Sequence, residues 1–175
     1  HIDNPVRHAT SKMSTIHMVS TDEHAKRLIR MGEDKSRVFN IGSVALDKFK
    51  KEEIYTFEEI KSLFNISKHI KNYAILIFHP IPKERSESAK IFENVLLFLK
   101  KKNIFTFVSY PNIDPGSSEI ISIIEKYKDI SGFYFYKSQP RKIFLSIYKN
   151  ADFIIGNSSS GILESASIPI AAINV

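Results

Sequence analysis

The sequence predicts an α/β fold: a parallel sheet with helices on both faces. Three observations predict it. Short, continuously apolar runs, such as 73–78 and 153–155, have the length and composition of strands buried on both sides. Between them lie amphipathic stretches of helical length, such as 86–101 with Ile91, Phe92, Val95, Leu96 and Leu99 on one stripe. The two kinds of segment alternate, which specifies parallel strands joined by crossover helices.

The elements follow in order. Residues 5–13 form a helix, with Pro5 suited to its first turn. Residues 15–19 form a short strand. Ser20-Thr21-Asp22-Glu23 reads as a capping box that opens a helix with Ala25, Leu28 and Ile29 on one face and Gly32 as its stop. Residues 37–41 make the next strand. The stretch 45–53 is charged and irregular, as in an interdomain linker. Thr56-Phe57-Glu58-Glu59 is a second capping box, with a helix running to about Phe64. From Tyr73 the alternation is regular: strands at 73–78, 104–109, 132–136, 153–155 and 169–175, with helices at 86–101, 117–127 and 140–149. The expected organisation is an end of one domain at 1–44, a linker and connecting helix at 45–72, and a second domain at 73–175.

The chain has 175 residues, 43% of them hydrophobic and 25% charged, as in an ordinary globular protein. It has no Cys, which excludes disulfides, thiolate metal sites and a thiol nucleophile. No apolar run is long enough to span a bilayer and 1–5 is no signal peptide, so the default expectation is a cytoplasmic protein without a membrane partner. The net charge is +6. Its lysines are scattered or clustered at helix ends, with no basic stripe or nucleic-acid motif, so no nucleic-acid partner is expected. The six His residues show no metal-ligand spacing, and neither a metal nor another cofactor is expected.

In a parallel sheet, ligands bind beyond the carboxyl ends of the strands. The residues expected there are His79-Pro80, Tyr110-Pro111-Asn112, Lys137-Ser138 and Asn157-Ser158-Ser159. The strongest local signal is 152–164. An apolar strand ends at Gly156, Asn157 to Gly161 form a polar turn, and a helix begins with Glu164 in its first turn. Free amides at a helix start attract anions. Glu164 would accept hydrogen bonds from sugar hydroxyls, so phosphate and sugar together suggest a nucleotide-sugar. His79 can donate to a phosphate oxygen. Lys83 and Arg85 could neutralise a diphosphate, and Asn112 could hydrogen-bond the ligand. Each has an ordinary alternative: Ser158 and Ser159 as helix caps, Glu164 as a solvated first-turn carboxylate, His79 as a loop histidine, Lys83 and Arg85 as solvent charges, Asp3 as a cap.

Taken together, Ile2-Asp3 with Arg7-His8-Ala9 and Lys12, the run 37–42 with Asp47, Phe78-His79-Pro80, the run 110–117, and 155–161 with Glu164 resemble the hydrolysing UDP-N-acetylglucosamine 2-epimerases of nonulosonic-acid synthesis. The resemblance implies a two-domain glycosyltransferase-B-like fold with UDP-sugar in the cleft. It implies release of UDP and of N-acetylmannosamine or a 2,4-diacetamido analogue, by anti elimination and then hydration. It makes Asp3 a catalytic carboxylate and places His79, Asn112, Ser158, Ser159 and Glu164 on the UDP part. It needs no cofactor and suggests a homodimer or homotetramer. The abrupt start and end lead us to expect a piece of a longer protein. A second carboxylate (in a Gly-Gly-Glu stretch), the Gly-rich nucleotide-sugar loop and a later Arg loop are missing, so the piece alone is expected to be inactive. Alternatives are a non-hydrolysing epimerase, a glycosyltransferase on the same scaffold, and a UDP-binding module without catalysis. The non-hydrolysing type usually carries Gly-Gly and two adjacent carboxylates in the Ser turn, whereas here Gly161 precedes Ile162 and Glu164 precedes Ser165.

Overall fold

The computed structural model describes residues 3–44, 46, 53–81, 85–165 and 167–175, with the side chains of Asp3 and Arg85 left aside. The chain divides into two compact units, His1–Lys51 and Glu52–Val175.

In the first unit, helix α1 (Asp3–Met13) leads to strand β1 (His17–Val19), helix α2 (Asp22–Arg30), a 3-10 turn (Lys35–Arg37) and strand β2 (Val38–Asn40). β1 and β2 pair in parallel, His17 opposite Val38. The cap of α2 falls one residue later than the sequence pattern suggested. Thr21 accepts from the His24 amide at 3.2 Å, which puts Glu23 out of reach of a capping box; it pairs with Arg30 instead. The buried centre of this unit is a carboxylate. Glu33 bonds Lys12 at 2.9 Å, His17 at 3.0 Å and Arg37 at 3.1 Å. The hydrogen bonds from Lys12 and His17 hold its pKa below the usual 4.5.

The second unit contains α3 (Phe57–Leu63), β3 (Tyr73–Ile77), α4 (Arg85–Lys101), β4 (Phe105–Ser109), α5 (Ser117–Tyr127), β5 (Phe133–Tyr136), α6 (Arg141–Asn150), β6 (Phe153–Gly156), α7 (Ser160–Leu163) and β7 (Ala171–Asn174). The five strands form one parallel sheet in the order β5-β4-β3-β6-β7. β3 is buried at all five positions, and its side chains alternate between the faces. Ala74, Leu76 and Phe78 meet Phe92, Leu96 and Leu99 of α4 and Ile120 and Ile124 of α5 in one core. Tyr73 faces the other layer, its ring tilted against Phe57 of α3 and edge-to-face with Phe107 of β4, its hydroxyl donating to the Ile147 carbonyl of α6. Helices therefore cover both faces, as the apolar strands require.

α3, read from sequence as part of a connecting segment, packs on α6. The Tyr55 amide donates to Ser146 Oγ at 2.9 Å, and Asn150 donates to the Tyr55 carbonyl at 3.0 Å. The Thr56–Glu59 capping box is present as expected. The last strand is shorter than expected, because Pro169 has no amide to give to the ladder and pairing starts at Ala171.

Candidate functional site

The strand order builds the site. From β3 the chain steps outward to β4 and β5, then returns across the sheet to β6 and β7. The connections leave β3 and β6 in opposite directions, which opens a crevice above their carboxyl ends. His79 follows β3 and Asn157 follows β6. The two strands are tied at both ends. At the start, Asp152 accepts from the Tyr73 amide at 2.9 Å and from Asn72 at 3.1 Å. At the crevice, Asn157 Oδ1 accepts from the His79 amide and Asn157 Nδ2 donates to the His79 carbonyl, both at 2.8 Å. Between them Gly156 lies against β3 with φ +142°, and a Cβ there would sit 1.9 Å from the Ile77 carbonyl oxygen. Only glycine fits.

The His79 ring is fixed as well. Its Nδ1 accepts from the Asn112 amide at 3.3 Å. Burial pushes its pKa below the usual 6.5, while Asp114 pulls the other way. A cavity of about 380 Å³ opens beside it, lined by His79, Tyr136, Lys137, Ser158, Ser159 and Glu164 among others. Among the described residues, three buried polar atoms there have no hydrogen-bond partner: Tyr136 Oη, Ser160 Oγ and Glu164 Oε2. Buried polar groups are normally satisfied, so their gathering in one cavity marks it as a place for a polar ligand. Burial drives the Tyr136 pKa well up, and Ser109 tempers this without reaching hydrogen-bonding geometry. The Tyr136 hydroxyl is thus a neutral donor. A smaller cavity of about 160 Å³ on the β6–β7 side is bounded by Ile77, Ile155, Ile162 and Ile173 and carries no titratable side chain.

The structure brings His79, Ser158, Ser159 and Glu164 to the same cavity. Asn112 reaches it only through His79, because its side chain is engaged with Asp114. Asp3 opens α1 in the other unit, and its side chain lies outside the described residues, as do Arg85's side chain, Lys83 and Asp47. Two expectations about the Ser turn need correction. α7 has four residues, and Glu164 caps its end rather than sitting in its first turn. The Ser160 amide bonds Ser158 Oγ, and the Gly161, Ile162 and Leu163 amides bond Ser158 and Ser159 carbonyls. One turn with engaged amides has little dipole to offer an anion. Ser159, however, makes no capping bond, so its exposed hydroxyl is not occupied as a helix cap. The sequence reading missed Tyr136, whose place at the end of β5 was the available signal, and the clamp made by Asn157. Among the described residues no group of three His, Asp or Glu side chains is placed to hold a metal, and no helix is long and apolar enough to cross a membrane.

A parallel sheet whose strand order reverses beneath a polar crevice is the doubly wound class of α/β protein. The chain belongs to the UDP-N-acetylglucosamine 2-epimerase family, whose profile matches residues 1–175. It is 34% identical over 175 residues to a hydrolysing UDP-N,N'-diacetylbacillosamine 2-epimerase of Legionella pneumophila, covering 99% of this chain and 46% of the relative. It is 33% identical over 178 residues to a UDP-N-acetylglucosamine 2-epimerase of Neisseria meningitidis, covering 99% of this chain and 45% of that one. The chain thus spans about half the length of the curated relatives it matches. Among solved structures, a UDP-GlcNAc 2-epimerase from Neisseria meningitidis bound to UDP-GlcNAc superposes with a TM-score of 0.71 at 18% identity, over 93% of this chain and 45% of that one. One from Methanocaldococcus jannaschii gives 0.63 at 20% identity, over 94% of this chain and 47% of that one. These superpositions place the chain in the glycosyltransferase-B-like α/β fold of those epimerases.

Proposed function

We propose that the protein is a hydrolysing UDP-sugar 2-epimerase, which takes UDP-N-acetylglucosamine or its 2,4-diacetamido analogue and releases UDP and the free 2-epimeric sugar. The observation that carries this is the cavity at the strand switch, where an imidazole, two serines and a carboxylate meet. Its chemistry matches a UDP moiety: donors for phosphate oxygens from His79, Ser158 and Ser159, and a Glu164 acceptor for a ribose diol. The proposed reaction removes the C2 proton and expels UDP from C1, leaving a 2-acetamidoglycal. Water then adds across that double bond, hydroxyl to C1 and proton to C2 on the opposite face. Proton removal and return require positioned acids and bases, and Asp3 is the carboxylate assigned to one of these steps.

The hydrolysing relatives at 34% and 32% identity, and Ser165 where a second adjacent carboxylate marks the other type, favour hydrolysis over interconversion. The test follows UDP and sugar by NMR after incubation of the full-length protein, of which these 175 residues are expected to be a piece, with each UDP-sugar. Free 2-epimeric sugar is expected. A UDP-linked 2-epimer would assign the non-hydrolysing reaction, and a requirement for an acceptor would assign a transferase. Asp3→Asn is expected to lower turnover about 100- to 10,000-fold while UDP binding persists.

A further inference from the structure

We propose that the Asn112 amide and Asn157 act together as a positioning pair that holds His79 as the Nε2–H tautomer, with Nε2 as a hydrogen-bond donor to the ligand. The ligand half rests on the UDP-sugar reading given above.

A neutral imidazole has one protonated nitrogen and one lone pair. The Asn112 amide can only donate, and it points at Nδ1 from 3.3 Å. Nδ1 must therefore carry the lone pair, and the ring proton sits on Nε2. Burial favours the neutral form, and Asp114 opposes it. The ring nevertheless needs its backbone fixed to aim Nε2. Asn157 does this with a two-point clamp to the His79 amide and carbonyl across the strand switch. An aspartate in that place could accept but not donate, and it would bring a negative charge to a site meant for a diphosphate. The amide side chain is what both bonds require. Asn112 and Asn157 thus act through His79 and need not touch the ligand.

Long-range ¹⁵N NMR of the histidine side chains distinguishes the two tautomers in the ligand-free protein. His79 is expected to show an unprotonated Nδ1 and a protonated Nε2, with the Nε2 signal moving on UDP addition while Nδ1 stays in place. Asn112→Ala keeps the amide and should keep the tautomer. Asn112→Pro removes the amide and should give a mixture of tautomers. Asn157→Leu should weaken UDP binding about tenfold by calorimetry, the loss expected when a hydrogen bond to a charged group is misaimed. A wild-type spectrum with Nδ1 protonated overturns the proposal, whether or not the variants fold. So does an Asn157→Leu protein with unchanged UDP affinity and unchanged His79 shifts. If wild-type protein binds no UDP, the UDP-sugar reading and the ligand half fall together, and the ligand-free spectrum alone decides the tautomer.

Discussion

Gly156 shows how little room the crevice floor leaves. Its positive φ and the 1.9 Å approach of a hypothetical Cβ to the Ile77 oxygen both exclude a side chain. Gly156→Ala should destabilise the second unit by about 2–5 kcal/mol, the sum of overpacking and backbone strain, read as a lower urea midpoint. Tyr136 gives the opposite expectation. Its hydroxyl has no partner to lose among the described residues, so Tyr136→Phe should leave Tm unchanged or raise it while weakening any ligand that hydrogen-bonds there. In the first unit, Glu33 sets a pH dependence. Its folded-state pKa lies below the ordinary 4.5, so the unfolded chain binds its proton first. The stabilisation is fully present above pH 4.5 and is lost as pH falls through the folded value. The Tm difference between wild type and Glu33→Gln should accordingly be largest near neutrality and shrink toward pH 3, as followed by circular dichroism.

At the scale of elements, local rules hold where the chain supplies its own partners. The Thr56 side chain and Glu59 satisfy each other's amides, so Thr56→Ala should destabilise α3 by about 1 kcal/mol in thermal melts. The buried strands and amphipathic helices of the second unit were legible because burial on both faces leaves apolar runs that nothing else in the chain matches. The same pattern located His79 and Ser158 at the strand ends. Other features depended on geometry that no window of residues carries. Thr21 rather than Ser20 caps α2, because the cap is chosen by where the backbone turns. α7 stops after one turn, as Glu164 takes the cap position. His17 and Glu33 are sixteen positions apart and become partners only through tertiary contact. The Asn157 clamp spans 78 positions and could not be seen before β3 and β6 were known to be neighbours.

At the scale of the whole molecule, ligand binding is linked to folding. A ligand that binds only the folded form stabilises it by about 2.7 kcal/mol at one hundred times its Kd. UDP should therefore raise the melting transition of the second unit in a concentration-dependent way, and UMP less so, as measured by calorimetry. The net charge of +6 favours an anionic ligand generally, so raising the salt concentration should weaken UDP binding.

The pairing of β3 with β6 joins segments 79 positions apart, and the crevice exists only where they meet. During synthesis β3 leaves the ribosome first and can find β4 at once. It then waits with one edge bare until β6 emerges. A nascent chain stalled before Phe153 should therefore carry a half-built sheet, an adhesive edge and no affinity for nucleotide.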